Sequence, residues 1–351
     1  MRILIIGPHF LGGWTESSQA ALQSLGHQVR KVYYDNAPNE SRVIRLAAMS
    51  ALWSSDTRAA IRNELGNLLL ATKYNGICKL ARNFSPHCII VLKGETIPSK
   101  VLEELRSQIN VPVVTWWVDD PFRFPDSVDI SSLYDHFFVF DRYYVPQLER
   151  CGIKRVSYLP CACDPRIFHP MSLSLRVRRR YACDVAFVAL FYPPRDQLVQ
   201  QMMGLDLAIW GPGWNSPDGR IAIQDVGKNA LRGRRLSSKR AAHLYNVAKV
   251  CINVHHSQSK LNGLNTRSLE IAACGGFQVV DHLPGIHELL IPGEEVVCYE
   301  TYDQARELVE YYLPRSVVRA EIGKRGRQRV LGEHTYTHRV TTMLSAINKL
   351  L

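Results

Sequence analysis

The sequence predicts an α/β protein made of two doubly wound, Rossmann-like domains. Short continuous apolar runs, such as residues 2–6 and 87–92, are typical of strands buried on both faces of a parallel sheet. These runs alternate with helical patterns, and such alternation is typical of right-handed crossover connections. The length of 351 residues suits about two domains of ordinary size.

In the first half, glycines and prolines separate the predicted elements. Gly7 follows the first strand, Gly26 ends the first helix, and the residues after 41 carry apolar side chains at helical spacing. The predicted strands are 2–6, 28–34, 87–92, 111–118, 136–140 and 155–159, and the predicted helices are 15–25, 41–83, 99–108 and one ending at 151.

Residues 160–170 contain three prolines and little periodicity, and the basic run 176–180 follows, which indicates an interdomain connection. The pattern then restarts. The predicted strands are 184–189, 205–210, 250–255 and 277–281. One predicted helix begins at 193, and the others cover 237–248, 265–274, 302–312, 316–331 and 336–350. We expect domains at 1–165 and 166–335, and a final helix within 336–351 that crosses back to the first domain. Ligands of such sheets bind at the carboxyl ends of the strands, so we expect a site in the cleft between the domains.

The composition is that of an ordinary globular protein, with 46% hydrophobic and 21% charged residues. No apolar run reaches the roughly 18 residues of a membrane span, and the apolar N-terminal stretch is too short for a signal peptide. We therefore expect a cytoplasmic protein. The nine cysteines are scattered and lack the spacing of metal ligands, so no metal site is expected.

The net charge of +11 favours an anionic partner. The excess lies mainly in three basic clusters, 176–180, 232–240 and 324–329. Such a field fits a nucleotide, a nucleic acid or a membrane surface. Because the clusters lack interleaved aromatic residues and no nucleic-acid motif is present, nucleic acid is disfavoured, while peripheral membrane contact through the basic face stays open.

The most informative segment is 253–277, a strand followed by a polar loop and a short helix. Asn265 is suited to cap that helix, and the amides of Asn265, Thr266, Arg267 and Ser268 would then form an anion site suited to a diphosphate. Glu270 lies one turn beyond Arg267 and could accept hydrogen bonds from the two hydroxyls of a ribose. The alternative is an exposed ion pair between Arg267 and Glu270 that stabilises the helix by only about 0.2–0.5 kcal/mol.

Residues 264–276 resemble the donor-site helix of GT-B glycosyltransferases, and the chain is most similar to the CgeB-like branch of that family. The resemblance covers nearly the whole chain and is strongest after residue 110. The other matching stretches are 116–121, 158–170, 184–189 with Arg195, 209–214, 292–296 and 333–336. It implies GT-B architecture, with two facing Rossmann-like domains, an interdomain cleft and closure about the segment 160–170.

The resemblance also implies a nucleoside diphosphate sugar as donor, with a UDP-sugar as the default expectation. Glu270 then matches the residue that binds ribose, Arg267 and the neighbouring amides match the diphosphate cradle, and Arg195 resembles a second cationic contact. The base would lie near residues 226–231, where Tyr245 could line the site. No prosthetic group is implied, and the family uses protein cations in place of a metal ion.

One departure concerns stereochemistry. Retaining relatives carry a second glutamate eight residues before the ribose glutamate, where this chain has Asn262. This departure weakens a retaining mechanism and leaves the choice between retention and inversion open.

The acceptor would bind to the first domain. There Gly13, in the pair Gly12–Gly13, either lets the backbone approach the donor phosphates or simply forms a turn.

An inverting transfer needs a general base for the acceptor hydroxyl. The candidates are Asp119 and Asp120, with Glu95 and His9 as second choices. The alternative is that Asp120 caps the turn before Pro121 and Asp119 pairs with an arginine. His255 and His256 end a strand, and a structural or substrate-contact role suits them better than metal binding.

The sequence therefore predicts a glycosyltransferase that acts on a hydroxyl of a protein, a polysaccharide or another surface glycan. Three alternatives remain open, namely a nucleotide-sugar epimerase on the same fold, a protein that binds an anionic polymer through its basic half, and an inactive scaffold.

Overall fold

The structure, a computed structural model, describes residues 1–9, 13–35, 55–123, 127–226 and 229–351. The chain forms two compact units. The first comprises Met1–Leu159 with Arg339–Leu351, and the second comprises Pro160–His338. These borders lie six residues before and three residues after those expected from the sequence at 165 and 335.

The first unit contains a parallel six-stranded sheet in the order β2-β1-β3-β4-β5-β6. Its strands are β1 (Arg2–Gly7), β2 (Gln28–Tyr33), β3 (Cys88–Leu92), β4 (Val113–Trp117), β5 (His136–Val139) and β6 (Val156–Tyr158). Its helices are α1 (Trp14–Ser24), α2 (Ser55–Phe84), α3 (Ser99–Gln108), α4 (Ser127–Ser131) and α5 (Val145–Arg150). The predicted helix over 41–83 falls partly on residues 36–54, which lie outside the described residues.

The core of this sheet is formed by continuous apolar strands, as the sequence predicts. Every residue of β3 and β4 is buried, and so is the run 3–6 of β1. Trp116 satisfies its indole Nε1 by donating to the carbonyl oxygen of Leu159 at 2.9 Å. Strands buried on both faces fix the positions of the loops that follow their carboxyl ends.

The second unit contains a parallel six-stranded sheet in the order β12-β11-β10-β7-β8-β9. Its strands are β7 (Val185–Val188), β8 (Leu207–Trp210), β9 (Leu231–Gly233), β10 (Val250–Asn253), β11 (Gln278–Asp281) and β12 (Val297–Tyr299). Its helices are α6 (Leu175–Tyr181), α7 (Arg195–Gln201), α8 (Pro217–Ile223), α9 (Ser238–Tyr245), α10 (Thr266–Ala273), α11 (Tyr302–Tyr312) and α12 (Ser316–Glu333), and α13 (Tyr336–Asn348) begins here and continues into the first unit.

Some elements differ from those expected. The basic run 176–180 lies in helix α6, whose Tyr181 is buried with its ring centroid 6.0 Å from that of Trp210. The three-residue strands β9 and β12 were not predicted from the sequence. Among the described residues, no helix has the length and apolarity needed to cross a bilayer.

Helix α10 is packed closely against α12 through glycines. A Cβ atom on Gly323 would lie 2.3 Å from the carbonyl oxygen of Gly275, the residue that ends α10 with a φ of +70°. Farther along α12, a Cβ on Gly332 would meet nothing within 4 Å. The first position therefore requires glycine and the second does not.

We expect Gly323→Ala to lower the free energy of unfolding by about 2–4 kcal/mol, because the methyl group overlaps a backbone oxygen. The matched variant Gly332→Ala should raise it by about 0.5–1 kcal/mol through helix propensity. Urea unfolding of both variants measures the difference. Equal effects at the two positions would contradict the close approach of α10 and α12.

Candidate functional site

The strand order of the second sheet reverses between β7 and β10. In parallel α/β sheets, ligands bind outside the carboxyl ends of the strands at such a reversal. The chain leaves β7 toward α7, which begins at Arg195, and leaves β10 toward the loop that precedes α10. The residues that follow these two strands are therefore at the expected position of a ligand site.

The start of α10 is held by an amide network. Asn265 is the N-cap, as predicted, and its Oδ1 accepts from the backbone N–H of Ser268 at 3.2 Å. Asn253 donates its Nδ2 to Asn265 Oδ1 at 3.0 Å and to Ser268 Oγ at 2.9 Å. The expectation that Ser268 offers a free amide is therefore wrong, since the cap uses it. The amides of Thr266 and Arg267 form no hydrogen bond within the described ranges.

Arg267 and Glu270 do not form the exposed ion pair that the spacing allowed. Arg267 donates its Nη1 to Asn253 Oδ1 at 2.9 Å. The Glu270 carboxylate is partly buried, and no hydrogen bond or ion pair to it exists in the part of the chain that the structure describes. Burial raises the pKa of Glu270 to about 7, although the positive charge of Arg267 acts in the opposite direction. This carboxylate is therefore available to accept hydrogen bonds from a ligand.

Arg195 is a buried cation that meets only neutral acceptors. Its side chain is 4% exposed, Nη1 donates to the Leu190 carbonyl at 2.8 Å, and Nη2 donates to the Val254 carbonyl at 3.4 Å. Its Nε is buried without an acceptor among the described residues. Burial and the nearby charge of Arg267 lower the pKa of Arg195 to about 10. Two arginines thus repel each other where a bound anion would attract both.

Two further polar groups near Arg195 were missed or left undecided by the sequence analysis. Tyr192 lies under the Arg195 guanidinium, 4.1 Å from the ring centroid, and its hydroxyl is buried without a partner in the described structure. His255 has its Nδ1 2.8 Å from Asp281 Oδ1, so that Nδ1 carries the proton and the buried Nε2 is left without a described partner. In the sequence, the one signal for this contact between His255 and Asp281 is that Asp281 ends a predicted strand. No group of three or more His, Cys, Asp or Glu that could hold a metal is found among the described residues.

Tyr245 and Asn262 are both buried. Tyr245 lies with its ring centroid 6.3 Å from that of Phe168, and burial together with the charge of Glu270 raises its pKa. It therefore lies near the Glu270 carboxylate. Asn262 donates its Nδ2 to Glu288 Oε2 at 3.0 Å. Residues 227–228 of the predicted base-binding segment lie outside the described residues.

In the first sheet the strand order reverses between β1 and β3, and the predicted acceptor-side residues follow those strands and β4. The structure brings Glu95 and Asp119 together on Lys93, a residue that the sequence analysis missed. Lys93 Nζ lies 3.0 Å from Glu95 Oε1 and 2.5 Å from Asp119 Oδ2. Glu95 Oε2 also accepts from the Tyr34 hydroxyl at 2.7 Å. Lys93 is 5% exposed and adopts a φ of +64°, which is rare for a residue with a side chain.

Asp120 stands apart from this cluster. Its Oδ1 accepts from the backbone N–H of Phe122 at 2.8 Å, and its carboxylate also accepts from Tyr144. Asp120 therefore stabilises the turn at Pro121, which is the structural role given above as the alternative to a general base. Asp119 pairs with Lys93, a partner that the structural alternative did not name.

His9 and Gly13 flank residues 10–12, which the structure does not describe. The backbone N–H of His9 donates to Asp35 Oδ1 at 2.7 Å, and the His9 Nδ1 is buried without a described partner. Gly13 has a φ of +92°, caps α1, and its carbonyl accepts from Ser17 N–H at 2.7 Å. A left-handed turn therefore explains the glycine at position 13 by itself.

The raised pKa of Glu270 has a consequence for stability. Because the folded-state pKa of about 7 exceeds the ordinary value of 4.5, the folded protein binds more protons than the unfolded chain between these values. Stability then falls as pH rises from 4.5 to 7. We expect Glu270→Gln to raise the free energy of unfolding by about 1–2 kcal/mol at pH 8 and to change it little below pH 4.5. Urea unfolding at several pH values tests this, with the exposed Glu307→Gln as control. A difference that does not depend on pH would contradict the buried carboxylate.

Comparison with known proteins adds independent information. The family model described as "Glycosyl transferase-like" matches residues 195–345. The spore protein CgeB of Bacillus subtilis (strain 168) is 23% identical over 242 residues, which cover 66% of this chain and 73% of CgeB.

Solved structures share the fold over the full chain. Sucrose-phosphate synthase from Thermosynechococcus elongatus has a TM-score of 0.69 at 15% identity, with 100% of this chain and 99% of that chain covered. HepE from Anabaena, solved in complex with UDP-glucose, has a TM-score of 0.66 at 11% identity, with 99% and 100% covered. These findings confirm the fold and the resemblance predicted from the sequence: the chain has the fold of these structures, its residues 195–345 match the glycosyl transferase-like family, and it is similar to CgeB.

Proposed function

We propose that the protein transfers a sugar from a nucleoside diphosphate sugar, with a UDP-sugar as the expected donor, to a hydroxyl group of a protein, a polysaccharide or another surface glycan. The observation that carries the proposal is the pair Arg195 and Arg267, two neighbouring cations whose acceptors are neutral oxygens. The UDP-glucose complex of the structural relative HepE supports the choice of UDP.

A diphosphate suits this pair. The start of α10 offers the amides of Thr266 and Arg267 and the positive end of the helix dipole, and Arg267 can add charge-assisted hydrogen bonds. In the transfer, the bond between the anomeric carbon and the phosphate oxygen breaks while the acceptor oxygen bonds to that carbon. The departing diphosphate gains negative charge, which preorganised cations stabilise more in the transition state than in the substrate.

The Glu270 carboxylate, which has no hydrogen-bond partner among the described residues, suits the ribose of the same donor. It lies one turn along α10 from Arg267, so a nucleotide whose diphosphate contacts the helix start can bring its ribose hydroxyls to Glu270. Above pH 7 the carboxylate is ionised and accepts from both hydroxyls.

For an inverting transfer, Asp119 is the candidate base that the contacts favour. Glu95 uses one carboxylate oxygen for Lys93 and the other for Tyr34, and Asp120 stabilises a turn. The Asp119 side chain is 24% exposed, whereas that of Glu95 is 8% exposed. Asp119 can therefore reach an acceptor hydroxyl and take its proton, while Lys93 holds the carboxylate in place. His9, with an unpartnered ring nitrogen in the described structure, is the second candidate.

The proposed donor roles predict different effects of two substitutions on two ligands. We expect Glu270→Gln to weaken UDP binding about tenfold and to leave pyrophosphate binding unchanged, because only UDP carries a ribose. Arg267→Gln should weaken both ligands by about ten- to a hundredfold, because both carry the diphosphate. Calorimetry with UDP, GDP, dTDP, ADP and pyrophosphate measures these affinities.

Arg176→Gln, at an exposed arginine of α6, is the control for general loss of charge. Undiminished UDP binding in Arg267→Gln, or no binding of any nucleoside diphosphate by the wild type, would contradict the proposed donor site.

The proposed base predicts that Asp119→Asn lowers kcat by about 10²–10⁴-fold while the KM for the donor stays near the wild-type value. Initial rates of sugar transfer with a saturating acceptor measure this, and circular dichroism confirms that the variant is folded. Asp129→Asn, at an exposed position of α4, is the matched control. Near-wild-type kcat in Asp119→Asn would assign the proton to another group.

A further inference from the structure

The first unit contains a cavity of about 510 Å³ that the proposed transfer does not use. It lies between strands β5 and β6 and the final helix α13, and its lining includes His136, the first residue of β5, and Arg155, which directly precedes β6. These residues lie at the amino ends of their strands. Lys93 and Asp119 follow the carboxyl ends of β3 and β4, so the cavity is distinct from the proposed acceptor side.

The charges around this cavity are positive. Arg155 and Lys349 both line it, and neither forms an ion pair with a carboxylate among the described residues. Their charges, after burial itself, lower the pKa of His136, which shows that the three groups lie close together. The adjacent carboxylate, Asp135, is paired with Arg106 through two hydrogen bonds of 2.9 and 3.0 Å. The cavity is thus lined by two cations and a histidine, and the nearby Asp135 is engaged by Arg106.

Hydroxyl and apolar groups complete the lining. Thr341 and Ser345 precede Lys349 at four-residue spacing on one side of α13, and Ser157 Oγ lies 2.9 Å from His136 Nε2. The Phe138 ring stacks on the His136 ring with centroids 4.2 Å apart. The cavity therefore combines hydrogen-bond donors for an anionic group with an apolar wall that can contact the rest of the ligand.

We propose that this cavity binds the phosphate group of a phosphorylated ligand, with Arg155 and Lys349 as the charged contacts and the hydroxyls of α13 as further donors. Two cations from separate elements match the double charge of a phosphate monoester. The volume falls in the range of small-molecule sites, about 300–1,000 Å³. A soluble phosphate ester and a phospholipid headgroup share this chemistry, and the experiment separates them.

His136 provides the readout. On one side lie Ser157 of β6 and Arg155 directly before that strand. On the other side lie Thr341 and Ser345 of α13 and Lys349 directly after that helix. Phe138 and Asp135 lie on or next to the strand of His136 itself. A bound phosphate offsets the charges of Arg155 and Lys349, so it favours the protonated imidazole. Phosphate binding should therefore raise the pKa of His136.

The test uses the full chain and follows the His136 imidazole signal by NMR, assigned with His136→Gln, during titration with inorganic phosphate and glycerol phosphate. We expect the double variant Arg155→Gln/Lys349→Gln to weaken binding about tenfold and to abolish the shift of the His136 titration. The control, Arg176→Gln/Arg179→Gln in α6, removes the same charge outside the cavity and should leave both unchanged.

Cosedimentation with vesicles that contain phosphatidic acid, a lipid phosphate monoester, compared with vesicles of phosphatidylcholine alone, tests the lipid headgroup. Binding of the soluble probes that depends on Arg155 and Lys349 supports a soluble phosphate ester, and the same dependence for the phosphatidic acid vesicles alone supports a lipid headgroup. If the two double variants behave alike with the soluble probes and also with the vesicles, the proposal is overturned.

Discussion

Two neighbouring arginines that donate to neutral oxygens are the constraint on which the proposed site of the second unit depends. Arg195 and Arg267 repel each other, and burial makes the charge of Arg195 costly. A carboxylate placed between them would relieve both effects and would also occupy the place of an anionic ligand. The chain instead supplies the carbonyls of Leu190 and Val254 and the amide oxygen of Asn253. These acceptors orient the guanidinium groups and leave their charge uncompensated, so the attraction for an anion is retained.

Both units place their least favourable local arrangements where their strand order reverses. In the first, Lys93 adopts a left-handed backbone and pairs with two carboxylates. In the second, Arg195 and Arg267 donate to neutral oxygens, and Glu270 forms no ion pair among the described residues. Rigid packing supports each place. Continuous apolar strands precede Lys93, and the close approach of Gly323 to Gly275 holds the end of α10. Groups held in unfavourable states need such a surrounding, because a flexible one would let them relax.

The sequence predicts what depends on local pattern. Alternating apolar runs are enough for two parallel sheets, and the position of Asn265 before a short helix is enough for its cap. The spacing of Arg267 and Glu270 places both on one helix, but the hydrogen bond of Arg267 to Asn253 depends on the end of a strand fourteen residues earlier. Lys93 was missed because its role requires the ends of β3 and β4 to be neighbours, and its left-handed φ has no signature in a lysine. The strands β9 and β12 were missed because they exist only through pairing with their neighbours in the sheet.

The uncompensated charges of the second unit also connect the proposed ligand to the lifetime of the protein. A nucleoside diphosphate bound by Arg195 and Arg267 would remove their repulsion in the folded state and would find no such pair in the unfolded chain. By mass action, ligand at a hundred times its Kd then adds about 2.7 kcal/mol to the free energy of unfolding. Proteases act on transiently opened molecules, so the population that they can cleave would fall by about the same hundredfold factor. The abundance of the protein in a cell would therefore follow the supply of the proposed donor.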